Sequence, residues 1–457
     1  MSKSKSSSKT SNLRFDKVNT EPIIPNNNTI DEDPELNTDA ELSEAELGHK
    51  FLQKIANGSS INSILTFFSC SPVIMLLLSS NAFQIGGLFP SILLYMLFIL
   101  ATYLSLCMLL RMIIEKRSNS YFQMVIAFLS RKTRLLFDVF YGLFYIGYLL
   151  INVIVVQKIN ETFFDKVKEE NKLIITLIAL GIMLILQIVI ALKRTIEYWR
   201  ILKFIQVIII LIGSITFFIV TLVKVDKSDR QNGDSIFFKI TPEYFLMFAM
   251  MNIFLFNQFN LFQEIQFLKG FSKKRGLSVL TNTLLLQFFA FVGLGIIGFM
   301  SLRGLNSSFL FFMSPIKSIP ELFVLIMKIF FLFVFLTELS HTLVILSDFI
   351  RYIIAKNEIP FKFHIINIFF IALITNLIAY FLKNLHYLLK IIISIIGGVC
   401  AGVIEYVIPG ILYIVVENKM RKNNKILTVV LMAWMMLLGL AVTICGIIYS
   451  VRSKDNQ

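Results

Sequence analysis

From Ile61 onward, long apolar stretches alternate with short polar breaks. The apolar runs are continuous, with none of the every-other-residue alternation of a barrel strand, so they read as helices and exclude a closed β-barrel. A hydrocarbon core of ~30 Å needs about 20 helical residues to cross it. Eleven stretches reach that length: 59–80, 88–114, 133–157, 172–192, 202–223, 243–263, 278–302, 320–352, 363–382, 387–416 and 426–450. They are spans 1 to 11 below. The pattern predicts an all-α polytopic membrane protein with about eleven transmembrane helices.

Composition agrees. Apolar residues make up 56% of the 457, Phe alone contributes 45, and only 16% are charged. A soluble domain carries about 25% charge, and no single core of this size hides so much apolar surface from water. The net charge of +14 raises the question of nucleic acid. Its distribution answers it: residues 1–50 hold six basic and ten acidic residues, and the remaining positive charge sits in short runs between spans. That is the pattern of membrane topology, not of a nucleic-acid face. Residues 1–50, Ser/Lys-rich and then acidic, read as a disordered tail, and 51–457 as the transmembrane domain. The tail lacks an apolar core, so span 1 rather than a cleaved leader is expected to direct insertion.

Loops 111–134, 193–203, 264–277, 348–362 and 417–425 carry 21 basic against 6 acidic residues. The positive-inside rule puts them in the cytosol, with the N-terminus there and the C-terminus on the far side. The sequons at Asn160-Glu161-Thr162 and Asn306-Ser307-Ser308 then fall on the far side, although Asn27-Asn28-Thr29 lies in the cytosolic tail.

Polar residues inside the spans are the candidate chemistry. Span 1 holds Ser69, Cys70, Ser71 and Pro72. A proline inside a helix removes a donor and frees a carbonyl, which marks either a solute-binding break or an ordinary kink. Span 6 holds Asn252, Asn257, Gln258 and Asn260. Such amides are costly in lipid unless they meet a solute or another helix. Gln263 and Glu264 close that span at the interface. In span 8, Glu338, His341 and Thr342 share one face. Glu338 and His341 form either a proton relay or a structural polar pair. Glu405 lies deep in span 10 with no evident role, while Asn152 and Asn376 read as packing contacts. The cysteines (Cys70, Cys107, Cys400, Cys445) have neither disulfide nor zinc spacing. No metal cluster, phosphate loop or nucleophile elbow suggests an enzyme, and no arginine series or filter loop suggests a channel.

Several segments, in order, resemble the amino acid/auxin permease family, nearest its sodium-coupled neutral amino acid transporter branch, within the APC superfamily. They are Leu268-Lys269-Gly270-Phe271-Ser272-Lys273-Lys274-Arg275 with Val279, Gly298-Phe299, Gly304-Leu305-Asn306, and Thr342 with Arg351 nine residues on. Gly397-Gly398, Pro409-Gly410-Ile411-Leu412-Tyr413, Ser120-Tyr121 and Gly147-Tyr148 continue the series. The chain departs from the family at Val344 and Phe349, where prolines are usual, and in span 1, which lacks Gly-x-Gly. Asn62-Ser63-Ile64 resembles the family's Asn-containing start, while Gly86-Gly87 favours a displaced register.

The resemblance implies a leucine-transporter-like fold of two five-helix inverted repeats plus one helix. Helices 1 and 6 would be broken near the midplane. It implies secondary active transport of amino acids, with neutral side chains, by alternating access and symport. Expected substrate-binding residues are Ser69, Cys70, Ser71, Asn257 and Gln258. Expected ion-coupling residues are Asn62, Glu338, His341 and Thr342. Thr342 argues for sodium, and Glu338 with His341 for protons, as the coupling ion. No other cofactor, no metal and no obligate protein partner is implied beyond the amino acid and the lipid bilayer. The membrane is either the plasma membrane or a vacuolar or lysosomal one. The alternatives are a transporter-like nutrient sensor and a carrier of another small organic solute.

Overall fold

The computed structural model describes residues 60–71, 74–116, 121–164, 169–192, 196–224, 244–268, 272–302, 320–355, 361–382 and 386–420, plus four isolated positions beyond. The expected tail, Pro72, most of span 11 and the Asn306 sequon lie outside the described residues.

All regular elements among them are helices. Span 1 is two short helices, α1 (Ser60–Ser69) and α2 (Ile74–Gly86), and span 2 is α3 (Leu88–Lys116). Gly87, at φ 76°, takes the left-handed conformation that lets α2 turn directly into α3. A short helix, α4 (Tyr121–Phe128), precedes span 3, which is α5 (Arg131–Phe163). Spans 4 and 5 are α6 (Glu169–Ala191) and α7 (Ile196–Lys224). Span 6 is again split, into α8 (Tyr244–Phe254) and α9 (Gln258–Phe267). Spans 7, 8 and 9 are α10 (Lys273–Leu302), α11 (Glu321–Ala355) and α12 (Phe361–Leu382). Span 10 starts as α13 (His386–Ser394), widens into π-helix over Ile395–Ala401 and Val403–Val407, and ends as α14 (Ile408–Met420).

Eight of these segments are long and apolar enough to cross a bilayer. Their burial sorts them. The spanning window of α5 is 72% buried, against 17% for α6 and 22% for α12. α5 is therefore the central post, while α6 turns Ile174, Leu177, Ile178, Ile182 and Ile185 outward as a lipid face.

The packing partners repeat. Span 1 packs on 7 and span 6 on 2. Span 1 packs on 5 and span 6 on 10. Span 8 packs on 4 and 5, and span 3 on 9 and 10. Exchanging each of spans 1–5 with the span five places later turns one set of pairs into the other. Because each unit has an odd number of crossings, the second enters from the opposite side, which makes the repeat inverted. The sequence shows no such symmetry by eye; the contacts do.

Two expectations need correction. The helix of span 5 starts at Ile196, so Arg200 is helical rather than part of a cytosolic loop, and Lys203, which the expected span and loop shared, lies two turns into the helix. Asn160 is only 2% exposed within α5, and Thr162 donates to the Ile159 carbonyl (2.8 Å), so this sequon is not an open acceptor.

Spans 6 and 10 touch backbone to backbone at Gly397. A Cβ there would overlap the carbonyl of Ala249 on α8, whereas one on Gly181 would meet open space. Gly397→Ala is expected to destabilise the purified protein by about 1–3 kcal/mol through overpacking. Gly181→Ala should be neutral or stabilising, since alanine is the better helix former. Thermal unfolding in detergent compares them; equal melting temperatures for the two variants would remove this contact from the account.

Candidate functional site

The two breaks in spans 1 and 6 meet. α1 closes as Cys70 N–H donates to Thr66 O (2.9 Å) and Ser71 N–H to Phe68 O (3.2 Å), a tighter last turn. α8 closes the same way: Leu255 N–H shares the carbonyls of Met251 and Asn252, and Phe256 N–H donates to Ile253 O (3.2 Å). Asn257 N–H is taken by Gln258 Oε1 (3.1 Å), and α9 begins with Leu261 N–H on Asn257 O (3.2 Å).

Side chains cross between the breaks. The Ser71 hydroxyl donates to Asn257 Oδ1 (3.3 Å). Asn260 Nδ2 donates to Cys70 O (3.2 Å), and Gln287 Nε2 from α10 donates to Ser71 Oγ. The remaining amide groups, Asn257 Nδ2, Gln258 Nε2 and Gln287 Oε1, are buried without a partner among the described residues. Buried polar groups are nearly always satisfied in native proteins, so a cluster of three beside a double helix break has capacity left to bond a polar solute or water. The N-terminus of α9 carries partial positive charge and the C-terminus of α1 partial negative charge. One junction thus offers donors to a carboxylate and carbonyls to an ammonium. Aromatic rings wall one flank: Phe256 stacks on Phe144 at 3.9 Å, and Phe259 packs on Tyr141 at 4.5 Å.

Of the expected substrate residues, the structure brings together Cys70, Ser71, Asn257 and Gln258. Ser69 turns back onto its own helix, donating to Thr66 O (2.8 Å). Asn62 lies two turns earlier, about 12 Å along the helix, where it accepts from Thr66 Oγ1 through its backbone carbonyl (2.8 Å) and side chain (3.2 Å). The fourth span-6 amide, Asn252, ties the helices together through Gly397 O (2.6 Å).

Span 8 differs from the expected Glu338–His341 pair. Glu338 forms an ion pair with Lys203 of span 5, and both side chains are under 5% exposed. Tyr148 of α5 donates to Glu338 Oε1 (2.8 Å), and Gln206 of α7 to Oε2 (2.8 Å). The imidazole of His341 instead packs against Trp199, 5.1 Å between ring centres. Thr342 Oγ1 donates to Glu338 O (2.9 Å), which leaves its oxygen lone pairs free to accept. The ion pair lies about one helical turn from the break along α5, since Tyr148, which holds Glu338, follows Phe144, which stacks on Phe256.

Lys203 was missed because it counted toward a positive loop. The signal was its spacing: Lys203 and Gln206 share a helical face that Ile201, Ile205 and Ile208, all lipid-exposed, do not. Arg200 was lost in the same way. It pairs with Glu264 of α9 (3.2 Å), which is 5% exposed, and the pair joins spans 5 and 6. Asn376 is a packing contact as expected, whereas Asn152 bonds only within its own helix and its Oδ1 is buried without a partner among the described residues. Asn152 bonds to Tyr148 O within its helix (2.9 Å), and Asn376 to Gln187 across helices (3.2 Å). Among the described residues no cluster of three His, Cys, Asp or Glu could hold a metal.

Residues 59–451 match the family model described as transmembrane amino acid transporter protein. No curated protein is similar enough in sequence to match. Among solved structures, a Na+-coupled sialic acid symporter in a substrate-bound outward-open state is similar at 14% identity and a TM-score of 0.50, over 86% of this chain and 88% of that one. Mhp1 in an inward-facing conformation is similar at 10% identity and a TM-score of 0.51, over 86% and 90%. At such identities the likeness is one of fold, the leucine-transporter-like arrangement. The family match spans most of the sequence, and with it the chain belongs to the transmembrane amino acid transporter family: it is a membrane transporter, not an enzyme.

Proposed function

We propose that the protein is a secondary active transporter that carries amino acids with neutral side chains by alternating access, driven by a proton gradient. The observation that carries the reading is the junction of the two broken helices. It offers unpaired amide groups and opposed helix ends to a zwitterion, and uncharged aromatic rings to its side chain. Among the described residues no full charge of either sign is hydrogen-bonded into that junction, which favours a neutral side chain.

Proton coupling rests on Lys203 and Glu338. A fixed ammonium beside the carboxylate repels a second cation at close range, while a proton can move between groups already in place. Sodium is the second reading, favoured by the accepting lone pairs of Thr342. The excess of basic residues in the even-numbered loops supports a cytosolic N-terminus. Arg200 and Lys203 leave that count without reversing it.

Uptake by proteoliposomes decides between these readings. A panel of labelled amino acids is tested under an imposed proton gradient and then a sodium gradient. Concentrative uptake of neutral amino acids under the proton gradient is expected. Uptake under sodium alone would establish the second reading, and binding without uptake would make the protein a sensor.

Two variants test the site. Asn257→Ala should raise KM about tenfold, the loss of roughly one hydrogen bond to a charged group, with the yield of folded protein unchanged. An unaltered KM would remove Asn257 from the substrate site. Lys203→Met should cost about 3–5 kcal/mol by stranding a buried carboxylate and lower the yield of folded protein. Lys203→Met with Glu338→Gln should restore that yield but not proton-driven accumulation. If the double variant still accumulates substrate on a proton gradient, coupling lies elsewhere.

A further inference from the structure

Glu405 takes no part in the site described above. It is fully buried in span 10; among the described residues only the phenol of the neighbouring Tyr406 interacts with its carboxyl, and no donor meets either oxygen in full hydrogen-bond geometry. Glu338, also buried, has three donors. An ionised carboxylate without donors or a counter-charge does not persist in an apolar interior; it binds a proton or a cation.

The backbone around Glu405 is unusual in the same place. Val403–Val407 is π-helix, following directly on the π-helical Ile395–Ala401. π-helical turns inside α-helices are rare and concentrate at functional sites. Carbonyls of this stretch are held by other helices. Ser105 of α3 donates to Glu405 O, Tyr121 of α4 to Ile404 O (3.1 Å) and Asn252 of α8 to Gly397 O (2.6 Å). Tyr406 meets Thr102 of α3 at 3.2 Å. Span 10 is thus fastened to spans 2 and 6 through groups that an α-helix keeps for itself.

The surroundings favour a proton over a metal cation. A cation needs several oxygen ligands, and the carbonyls of Ile404 and Glu405 are already engaged by hydroxyl donors. The titratable groups facing Glu405 are the phenols of Tyr121 from α4 and Tyr406 from its own turn, with Tyr95 of α3 beyond Tyr406. Among the described residues, α3, α5, α14 and the neighbouring π-helix bring no ion-pairing lysine, arginine or histidine against it.

We propose that Glu405 is a proton-carrying site within the membrane, separate from the Lys203–Glu338 pair. Its carboxyl oxygen holds a proton while span 10 is packed as described. It releases that proton to water when the π-helical joint shifts and exposes the carboxyl, and is reprotonated from water on reclosing. As a coupling site it rests on the transport reading above; as a proton site it does not.

Infrared difference spectroscopy of the purified full-length protein, wild type minus Glu405→Gln at neutral pH, tests this without any substrate. A carboxylic C=O stretch that shifts in heavy water is expected in the wild type and absent from the variant, while Glu264→Gln leaves it in place. Identical spectra for wild type and Glu405→Gln would overturn the proposal. Should Glu405→Gln misfold, the wild type is treated with dicyclohexylcarbodiimide. The carboxyl transfers its proton to a carbodiimide nitrogen, and its oxygen adds to the central carbon. Mass spectrometry should place the adduct on Glu405 and not on the ion-paired Glu338; no adduct, or equal labelling, would count against it. Uptake then separates the two readings. A Glu405-dependent band in a protein that transports nothing keeps the proton site and sinks the transport reading. A Gln variant that loses the band but keeps the wild-type pH profile of uptake removes Glu405 from coupling.

Discussion

In lipid every backbone N–H and C=O must find a partner within the protein, and the rest of this structure depends on that constraint. It makes each crossing a helix, and it makes each interruption costly unless something fills in. Two full breaks occur among the described residues, in spans 1 and 6, and they lie against each other, where Asn260 can reach the Cys70 carbonyl and Gln258 can take the Asn257 N–H. A single break facing lipid would leave its groups stranded. Two facing breaks share a small polar volume, and α5 and α10 shut the lipid out of it with Phe144, Tyr145 and Gln287. Positioning of the site and tolerance of the breaks are one requirement.

The same logic governs charge. Lys203 and Glu338 are each expensive to desolvate, and their attraction repays that only with good geometry and further hydrogen bonds. Tyr148 and Gln206 supply those bonds from two other helix faces. Replacing the four with leucines would give a stable helix packing and a static one. A buried ion pair with its own donors is an arrangement that a proton can unmake, because protonating Glu338 strands Lys203 and weakens the junction of spans 3, 5 and 8.

The ten spans that lie among the described residues, and most of their ends, were legible, because a continuous apolar run of about 20 residues has few other readings. The breaks were half legible. Pro72 and the amides of span 6 pointed to them, but nothing in either segment said that Ser71 faces Asn257. Lys203 was not legible by charge counting, because a lysine two turns into a helix and a lysine in a loop look alike until the helix start is known. Pairing is a tertiary fact as well. Glu338 and His341 share a helical face, yet the carboxylate takes its partners from other helices and the imidazole goes to Trp199. The π-helical turns of span 10 left no mark beyond Gly397-Gly398, since a wider backbone register is chosen by neighbours such as Ala249, Ser105 and Tyr121 rather than by local propensity.

The inverted repeat gives the two buried acids a common frame. The interface of spans 8 and 5, which holds Glu338 and Lys203, has as its counterpart the interface of spans 3 and 10, and Glu405 lies in the part of span 10 that packs on span 3. The packing is symmetric and the chemistry is not: one acid has a lysine opposite it, the other has only phenols nearby. That asymmetry makes protonation act unequally on the two interfaces. Protonating Glu338 breaks an ion pair and loosens its interface. Deprotonating Glu405 creates a bare charge and loosens the counterpart. On the proton-coupled reading proposed above, opposite proton movements favour opposite interfaces, so that one gradient biases a nearly symmetric scaffold toward one of its two states.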